Sequence, residues 1–448
     1  MATKTVLRMT TATDVALAEH IRSGASDDEQ FAFGVCSKAQ GRSSTIYLLS
    51  ETLLPGREDL AMQGPAGVGP TRAFQNAAYW LAVQQKRAIL DMHSHPFQSI
   101  PRLSGIDDYQ SKRNAQFVCE NFPPEATMLM VVFNRDSSCF DGRVLDRASG
   151  KFRPLDRIEV LGKSIRIIRR TPEKPSTVDK KFSRHLLIPG WNQSALENLK
   201  VVLAGLGGNG AAIFSGLLSL GVGRKEGWIV ACDPDVVERS NVPRIPYAFP
   251  FDVGKSKARV ARRFARRKEP RATVFCHQGQ IDDPSVLPWT KEAHVIIGGV
   301  DSDNARKTLN QLSANYLIPL LDVAAEIIPQ ATECHAAGQI RIVEPGANAC
   351  LICSGGLDVS EVDPAELSEE QRAALRRAGY VRGLDETPTP AVLDLNGVAS
   401  YLTLSHLRRM VFGESLAGRN YVLYDRQNCS LIAAAMPPPD PDCPVCGL

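Results

Sequence analysis

Two histidines one residue apart stand in DMHSHP, residues 91–96, with Ser104 and Asp107 a short distance downstream. On an extended strand His93 and His95 share one face, because side chains repeat every second residue. Two imidazoles, the Asp107 carboxylate and an open fourth position make a Zn2+ set that activates water for hydrolysis. The same residues also permit a plainer arrangement. Ser104 followed by Asp107 has the spacing of a capping box at a helix start, and histidines near a strand end are commonly just hydrogen-bonded there.

A second constellation suits phosphate chemistry. GLGGNG, residues 205–210, follows the apolar run VVLA and opens an apolar helix. Gly205, Gly207, Gly208 and Gly210 let backbone amides and a helix N-terminus approach a phosphate closely. Asp233 ends the next apolar run, where it can accept from a ribose hydroxyl. That much suits a dinucleotide dehydrogenase equally well. Asp235, Asn241, Arg244 and Lys257 follow, then Asp301 with Arg306 five residues on. Hydride transfer has no use for such cations. Attack on a phosphoanhydride needs them to offset triphosphate charge, with an aspartate to hold Mg2+. Cys350-x-x-Cys353 and Cys443-x-x-Cys446 have knuckle spacing, and four thiolates suit a structural Zn2+; two unrelated cysteine pairs in loops are the alternative.

Holding these groups takes more than one core. At 448 residues the chain predicts two or three domains. AILDMHSHP (88–96) and ATMLMVVFN (126–134) read as strands and TRAFQNAAYWLAVQQK (71–86) as a helix. RRTPEKPSTVDKK (169–181) has no apolar periodicity and reads as a linker, so the expected division is 1–165, a linker over 166–180, and 181–448. After it, strands alternate with helices, which argues for a doubly wound parallel sheet. The fold class is α/β. A formal net charge of +3 excludes neither side of a charge argument, and the basic stretch ARVARRFARRKEPR (258–271) reads as a solvated helix with Val260, Phe264 and the alanines facing inward, not as a nucleic-acid site. No apolar run has the length of a signal peptide or a membrane span, so the expectation is a cytoplasmic protein with reduced thiols.

The motifs R-H at Arg184, GLGGNG, D-P-D-x-V-x-x-S-N-x-x-R, G-x-x-K ending at Lys257 and D-x-x-x-x-R from Asp301 occur in this order. Together they resemble the ThiF/MoeB adenylating family, to which the ubiquitin-activating enzymes belong. The resemblance covers residues 181–448. It implies a Rossmann-like adenylation domain that uses ATP and Mg2+, with Asp233 on the ribose, Asn241, Arg244 and Lys257 on the phosphates, Asp301 on the metal, and Asp235 among the nucleotide-binding residues. It also implies that Arg184 reaches the ATP of a second subunit in a homodimer, and that the two C-x-x-C pairs meet across the domain. Ile245 stands where the family has glutamine. Residues 354–428, where such enzymes often carry a catalytic cysteine, contain none. Cys334 and Cys429 read as buried strand thiols and Cys232 as core. The expectation is therefore that an adenylate passes directly to a thiol on a partner, such as a conjugating enzyme.

H-x-H-P at His93, then S-x-x-D at Ser104, and the upstream Glu29 in EQFAFGVCS resemble the JAMM (JAB/MPN) metallopeptidase family over residues 10–160. That resemblance implies an α+β metallopeptidase-like domain, with catalytic Zn2+ on His93, His95 and Asp107. Glu29 becomes the general base and Ser104 a donor to the oxyanion. The spacing from His95 to Asp107 is one residue longer than the family pattern. Because Asp27 and Asp28 precede Glu29, a plain acidic strand entry is the alternative for it.

Joined, these halves predict a bacterial-type fusion that adenylates the C-terminal glycine of a ubiquitin-like β-grasp protein and trims or deconjugates the same protein. The alternatives are a sulfur-carrier partner in cofactor or cysteine synthesis, an inactive peptidase domain kept as a binding module, and a nucleotide-binding scaffold without turnover.

Overall fold

Runs of branched and aromatic residues pair into two large sheets, each organising its own half of the chain, and Leu60–Gly64 and Gly67–Pro70 of the first half form a separate two-stranded sheet. The computed structural model describes residues 3–22, 28–65, 67–170, 177–329, 334–357, 370, 390–415 and 418–447. The halves are Met1–Thr177 and Val178–Leu448.

The first half runs β1 (Lys4–Thr10), α1 (Thr11–Arg22), β2 (Phe31–Gln40), β3 (Ser44–Leu53), β4 (Leu60–Gly64), β5 (Gly67–Pro70), α2 (Arg72–Gln84), β6 (Ala88–Ser94) and α3 (Gly105–Asn121). It continues with β7 (Met128–Phe133), β8 (Phe140–Asp146), β9 (Lys151–Pro154), β10 (Arg157–Leu161) and β11 (Ile165–Arg169). Nine of these strands form one mixed sheet in the order β11-β10-β1-β3-β2-β6-β7-β8-β9. The pleat of β6 divides its side chains between two cores. Leu90 and Met92 enter a core with Leu7, Leu129 and Phe140, whereas Ile89 enters the opposite core with Phe33, Ala78 of α2 and Val118 of α3. His93 therefore lies on the face that α3 covers.

Two features depart from the sequence reading. Strand β11 lies within the stretch expected to be linker; it pairs antiparallel with β10 and buries Ile165 and Ile168. Its alternating arginines mask that pattern. At the other end of the stretch, Asp179 caps the first turn of the second half by accepting from Lys181 N–H at 3.2 Å. The first half also buries an Arg–Glu–Arg cluster. Arg8 donates to Glu159 Oε2 at 2.9 and 2.7 Å through Nε and Nη2, and Arg157 Nε donates to Oε1 at 2.8 Å.

The second half sets β12 (Lys200–Ala204), β13 (Trp228–Cys232), β14 (Val274–His277), β15 (Val295–Gly298) and β16 (Leu320–Pro329) in parallel. Their order, β14-β13-β12-β15-β16, reverses direction between β12 and β15. Ligands of open α/β sheets bind at such a switch point. The parallel sheet is expected; the three antiparallel strands that extend it, β17 (Cys334–Val343), β18 (Tyr421–Asp425) and β19 (Ser430–Ala434), are not. The basic helix Lys257–Lys268 buries Ala258, Val260, Ala261 and Ala265, and its Phe264 stacks on Tyr247 at 4.6 Å. No helix among the described residues is long and apolar enough to cross a membrane.

Removing one member of a buried charge cluster strands the others in a low dielectric, at a cost of about 3–5 kcal/mol. Glu159→Ala is expected to destabilise the first half by that amount, read from urea titration of the full chain with hydrogen exchange followed at β1 and β10.

Candidate functional sites

In the first half, the end of β6 is tied on both sides. Ser94 N–H donates to Gln30 O and Gln30 N–H to Ser94 Oγ, both at 2.9 Å, while His95 N–H donates to Phe133 O at 2.8 Å. These bonds carry His93 and His95 into register beside Glu29, whose own N–H is held by Gly64 O at 3.0 Å. The imidazole centroids are 4.9 Å apart. One donor atom from each of Glu29, His93 and His95 lies within 4.8 Å of the others. Asp107 closes the opposite side, with Oδ1 at 3.2 Å from His93 Nε2 and Oδ2 at 3.7 Å from His95 Nε2. Asp107 reaches both imidazoles with the additional loop residue present.

Ser104 and Asp107 also form the capping box. Asp107 N–H donates to Ser104 Oγ at 3.2 Å and Ser104 N–H to Asp107 Oδ2 at 2.6 Å. The cap uses the serine oxygen as an acceptor, and the serine side chain also bonds the Asp107 carboxylate.

Electrostatics divide the two carboxylates. Burial raises Glu29 to about 7; the positive charge of His93 works against this, and Asp107 works with it. Burial also acts to raise Asp107, but the hydrogen bond and charge of His93 and the bonds from Ser104 overcome it and hold the group well below the usual carboxylate range. Burial lowers His95, as does neighbouring His93. Environments that push two carboxylates apart assign them different work. Anionic Asp107 suits a ligand and basic Glu29 suits a proton acceptor. His95 Nδ1 is buried without a hydrogen bond, and His93 Nε2 has Asp107 Oδ1 beside it. Imidazole nitrogens with a carboxylate beside them are the donor set that Zn2+ takes.

In the second half, the glycine turn packs into the switch point. A Cβ on Gly205 (φ +88°) would come within 2.4 Å of Gly299 O, and one on Gly210 within 1.9 Å of Gly205 O. Asp233 accepts from Leu206 N–H at 2.6 Å and Asp235 N–H at 2.9 Å, so its carboxylate shapes the turn itself. Burial raises its pKa and the ammonium of Lys257 opposes that. Lys257 Nζ lies 2.7 Å from Asp235 and 3.5 Å from Asp233. Asn241 is buried and folds its loop, accepting from Glu238 N–H at 3.1 Å through the side chain and from Arg244 N–H at 3.0 Å through the main chain. Ile245 is buried on the same turn. Asn209 Oδ1 and Arg244 Nε are buried without partners, as groups awaiting a polar ligand would be.

Not every predicted residue joins this group. Arg306 binds Asp322 through Nε at 3.0 Å and Nη2 at 2.5 Å, and Asp303 at 3.1 Å. It is a buried brace and not a free phosphate ligand. Asp301 is exposed just past β15, and Arg184 is exposed at a short turn. Cys334 and Cys429, expected in the core, are exposed, while Cys232 is buried. Cys334 begins β17 at the tip of its hairpin, and Cys429 (φ +47°) turns the chain between β18 and β19, where side chains meet solvent. Of the expected cysteine-free segment, residues 358–369, 371–389, 416 and 417 lie outside the described residues. Sequence reasoning missed Asn396 and Ser400. Both project from the helix Leu393–Phe412: Asn396 Nδ2 fills the space a Gly208 Cβ would take, and Ser400 Oγ donates to Asn209 O at 3.0 Å. Polar residues among the apolar ones of that helix were the available signal.

The four knuckle cysteines converge. Sγ atoms are 3.5 Å apart for Cys350–Cys353, 3.7 Å for Cys350–Cys443 and 3.2 Å for Cys353–Cys446. A tetrahedral site with Zn–S bonds of about 2.3 Å has edges of roughly 3.8 Å, whereas a disulfide needs about 2.05 Å. Burial acts to raise Cys443, but amides of Cys446 and Val445 and neighbouring thiols bring it down to about 7. Leu351 N–H donates to Asn310 Oδ1 at 2.9 Å, which ties the knuckle to the helix Asp303–Tyr316 that follows Asp301.

Gly210→Ala is expected to abolish nucleotide binding, measured by calorimetry with ATP, because the methyl collides with backbone that cannot yield. Cys443→Ser is expected to remove one zinc equivalent by elemental analysis and to lower Tm by several degrees; full zinc retention would contradict a four-cysteine site.

Residues 182–445 match the ThiF family model. Among curated proteins, the chain is 30% identical over 196 residues to the NEDD8-activating enzyme E1 catalytic subunit of Caenorhabditis elegans, covering 42% of this chain and 43% of that one. It is 32% identical over 144 residues to the SAMP-activating enzyme E1 of Haloferax volcanii, covering 32% of this chain and 52% of that one. It therefore spans about half or less of these relatives' length. E. coli MccB, a solved structure, aligns with TM-score 0.47 at 21% identity over 61% of this chain and 76% of its own. With more than half of its residues matched by the family model, the chain belongs to the ThiF family.

Proposed function

We propose that the second half adenylates the C-terminal carboxylate of a small β-grasp protein and that the first half is a JAMM-type zinc hydrolase acting at that same C-terminus. The reading is supported by Asp107 lying 3.2 Å from His93 Nε2 and 3.7 Å from His95 Nε2, with a raised Glu29 nearby, in a chain whose other half belongs to the ThiF family.

In adenylation, the carboxylate attacks the α-phosphorus of ATP, a P–O bond forms, and the bond to pyrophosphate breaks. The amides opening the helix Gly208–Leu220 and the Arg244 guanidinium hold phosphate charge. Lys257, now paired with Asp235, is near enough to join them. Asp301 would hold Mg2+, which offsets the charge of the leaving group. The alignment of carboxylate and phosphorus supplies most of the acceleration. The names of the relatives, one activating NEDD8 and one SAMP, support a protein C-terminus as the substrate class. A homodimer in which Arg184 serves the second subunit belongs to the same reading.

In hydrolysis, Zn2+ on His93, His95 and Asp107 would supply Lewis acidity and make water nucleophilic near neutral pH. Glu29 takes the proton of the attacking water and later returns it to the leaving amine. Ser104 O–H donates to the oxygen of the tetrahedral intermediate.

Two measurements test the halves separately. ATP–pyrophosphate exchange dependent on a glycine-ended β-grasp protein is expected from the wild type, and Asp301→Ala should lower it by a hundredfold or more; no exchange with any such partner leaves a scaffold. Glu29→Gln should abolish cleavage of a C-terminally extended or lysine-linked partner while zinc content stays unchanged. Unaltered cleavage would refute the base assignment. A partner recovered as a thiocarboxylate in place of an amide would shift the reading to sulfur transfer.

A further inference from the structure

The loop from His95 to Asp107 has little regular structure of its own, so something outside it must place Asp107 to within the tolerance of a metal site. Strand β8 does so with two side chains on one face. Asp141 Oδ2 accepts from Leu103 N–H at 3.4 Å, and Arg143 Nη2 donates to Asp107 O at 3.3 Å and Ser111 Oγ at 2.7 Å. Arg143 Nη1 pairs with Asp108, and the guanidinium lies 4.7 Å above the Phe152 ring. A cation at the first turn of a helix opposes the helix dipole. Asp108 offsets that charge, and what the arrangement gains is geometric: a planar fork gripping both ends of the turn that bears Asp107.

We infer that Arg143 is a positioning residue that holds Asp107 against His93 and His95. The inference rests on the zinc-hydrolase reading of the first half. It assigns Arg143 no contact with substrate or metal.

The test uses the full chain with its four-cysteine zinc intact. Affinity for the second zinc is measured by competition with a chromophoric chelator, and hydrogen exchange is followed at amides of residues 107–111. Outer partners of metal ligands typically contribute about 10–100-fold in affinity. Arg143→Met is expected to weaken the second zinc by that factor and to speed exchange in this turn, with the first zinc retained as the folding control. Arg143→Lys keeps the charge but loses the fork, and is expected to stay close to Met; recovery to wild-type affinity overturns the geometric clamp. Asp108→Asn changes an exposed group that does not touch the histidines, and is expected to weaken the second zinc by less than Arg143→Met does. A wild type that takes up a second zinc while Arg143→Met binds it equally well overturns the inference alone. A wild type that takes up none overturns the zinc-hydrolase reading and the inference with it.

Discussion

Where a buried strand ends, its backbone N–H and C=O groups lose their ladder partners and must be satisfied by the next residues of the chain or by neighbouring elements. Both halves of this chain build their chemistry from that obligation. At the end of β6 the bonds among Gln30, Ser94, His95 and Phe133 continue the sheet just far enough to hold His95 beside His93, which is still within the strand. At the ends of β12 and β15, Gly205 N–H reaches Cys232 O at 2.8 Å and Gly299 N–H reaches Ala204 O at 2.9 Å. Leu206 N–H takes the Asp233 carboxylate instead. The glycine turn is forced into contact with neighbouring backbone, and a Cβ on Gly205 or Gly210 would collide with it.

The two meanings of S-x-x-D, helix cap and metal ligand, turn out to be compatible. A capping-box acid needs one oxygen for the cap residue's amide, which leaves the rest of the carboxylate free to face inward. The geometry of Asp107 permits both: Oδ2 accepts from Ser104 N–H while Oδ1 lies beside His93. The cap thereby fixes the carboxylate rotamer before any metal arrives, and such preorganisation is what gives a ligand set its affinity. The cap bonds also help keep Asp107 ionised while Glu29, lacking such donors, is raised by burial.

What could be read from the residues was local. Period-two placement of His93 and His95, the glycines of the turn, and the C-x-x-C spacings each come from chain geometry over a few residues. Contacts made across long separations could not be read in this way. Ser400 bonds Asn209 across 191 positions and Arg143 reaches Ser111 across 32. Arg306 looked like a phosphate ligand because its acid partner, Asp322, lies on the next strand. Cys334 and Cys429 looked buried because their neighbours are apolar, but strand tips and turns expose a side chain whatever its neighbours are. Their exposure also removes the argument that neither thiol is available to accept an activated carboxylate. Strand β11 was hidden by arginines on its open face, where an edge strand tolerates charge.

On the proposed reading, the two reactions are ordered by their chemistry. Adenylation needs a free carboxylate, which an extended or conjugated partner does not present until a peptide or isopeptide bond has been cut. Hydrolysis of that bond is downhill and needs only a nucleophile and a proton acceptor, which Zn2+ chemistry and Glu29 provide. Adenylation is uphill and draws on ATP, so it must be confined to a carboxylate already released. A chain carrying both would cycle wastefully if the hydrolase attacked the adenylate, whose acyl phosphate is far more reactive than an amide. The required discrimination is between the bonds themselves. A hydrolase site that relies on Glu29 to protonate an amine leaving group gives its largest advantage to amides, because phosphate leaves without that help.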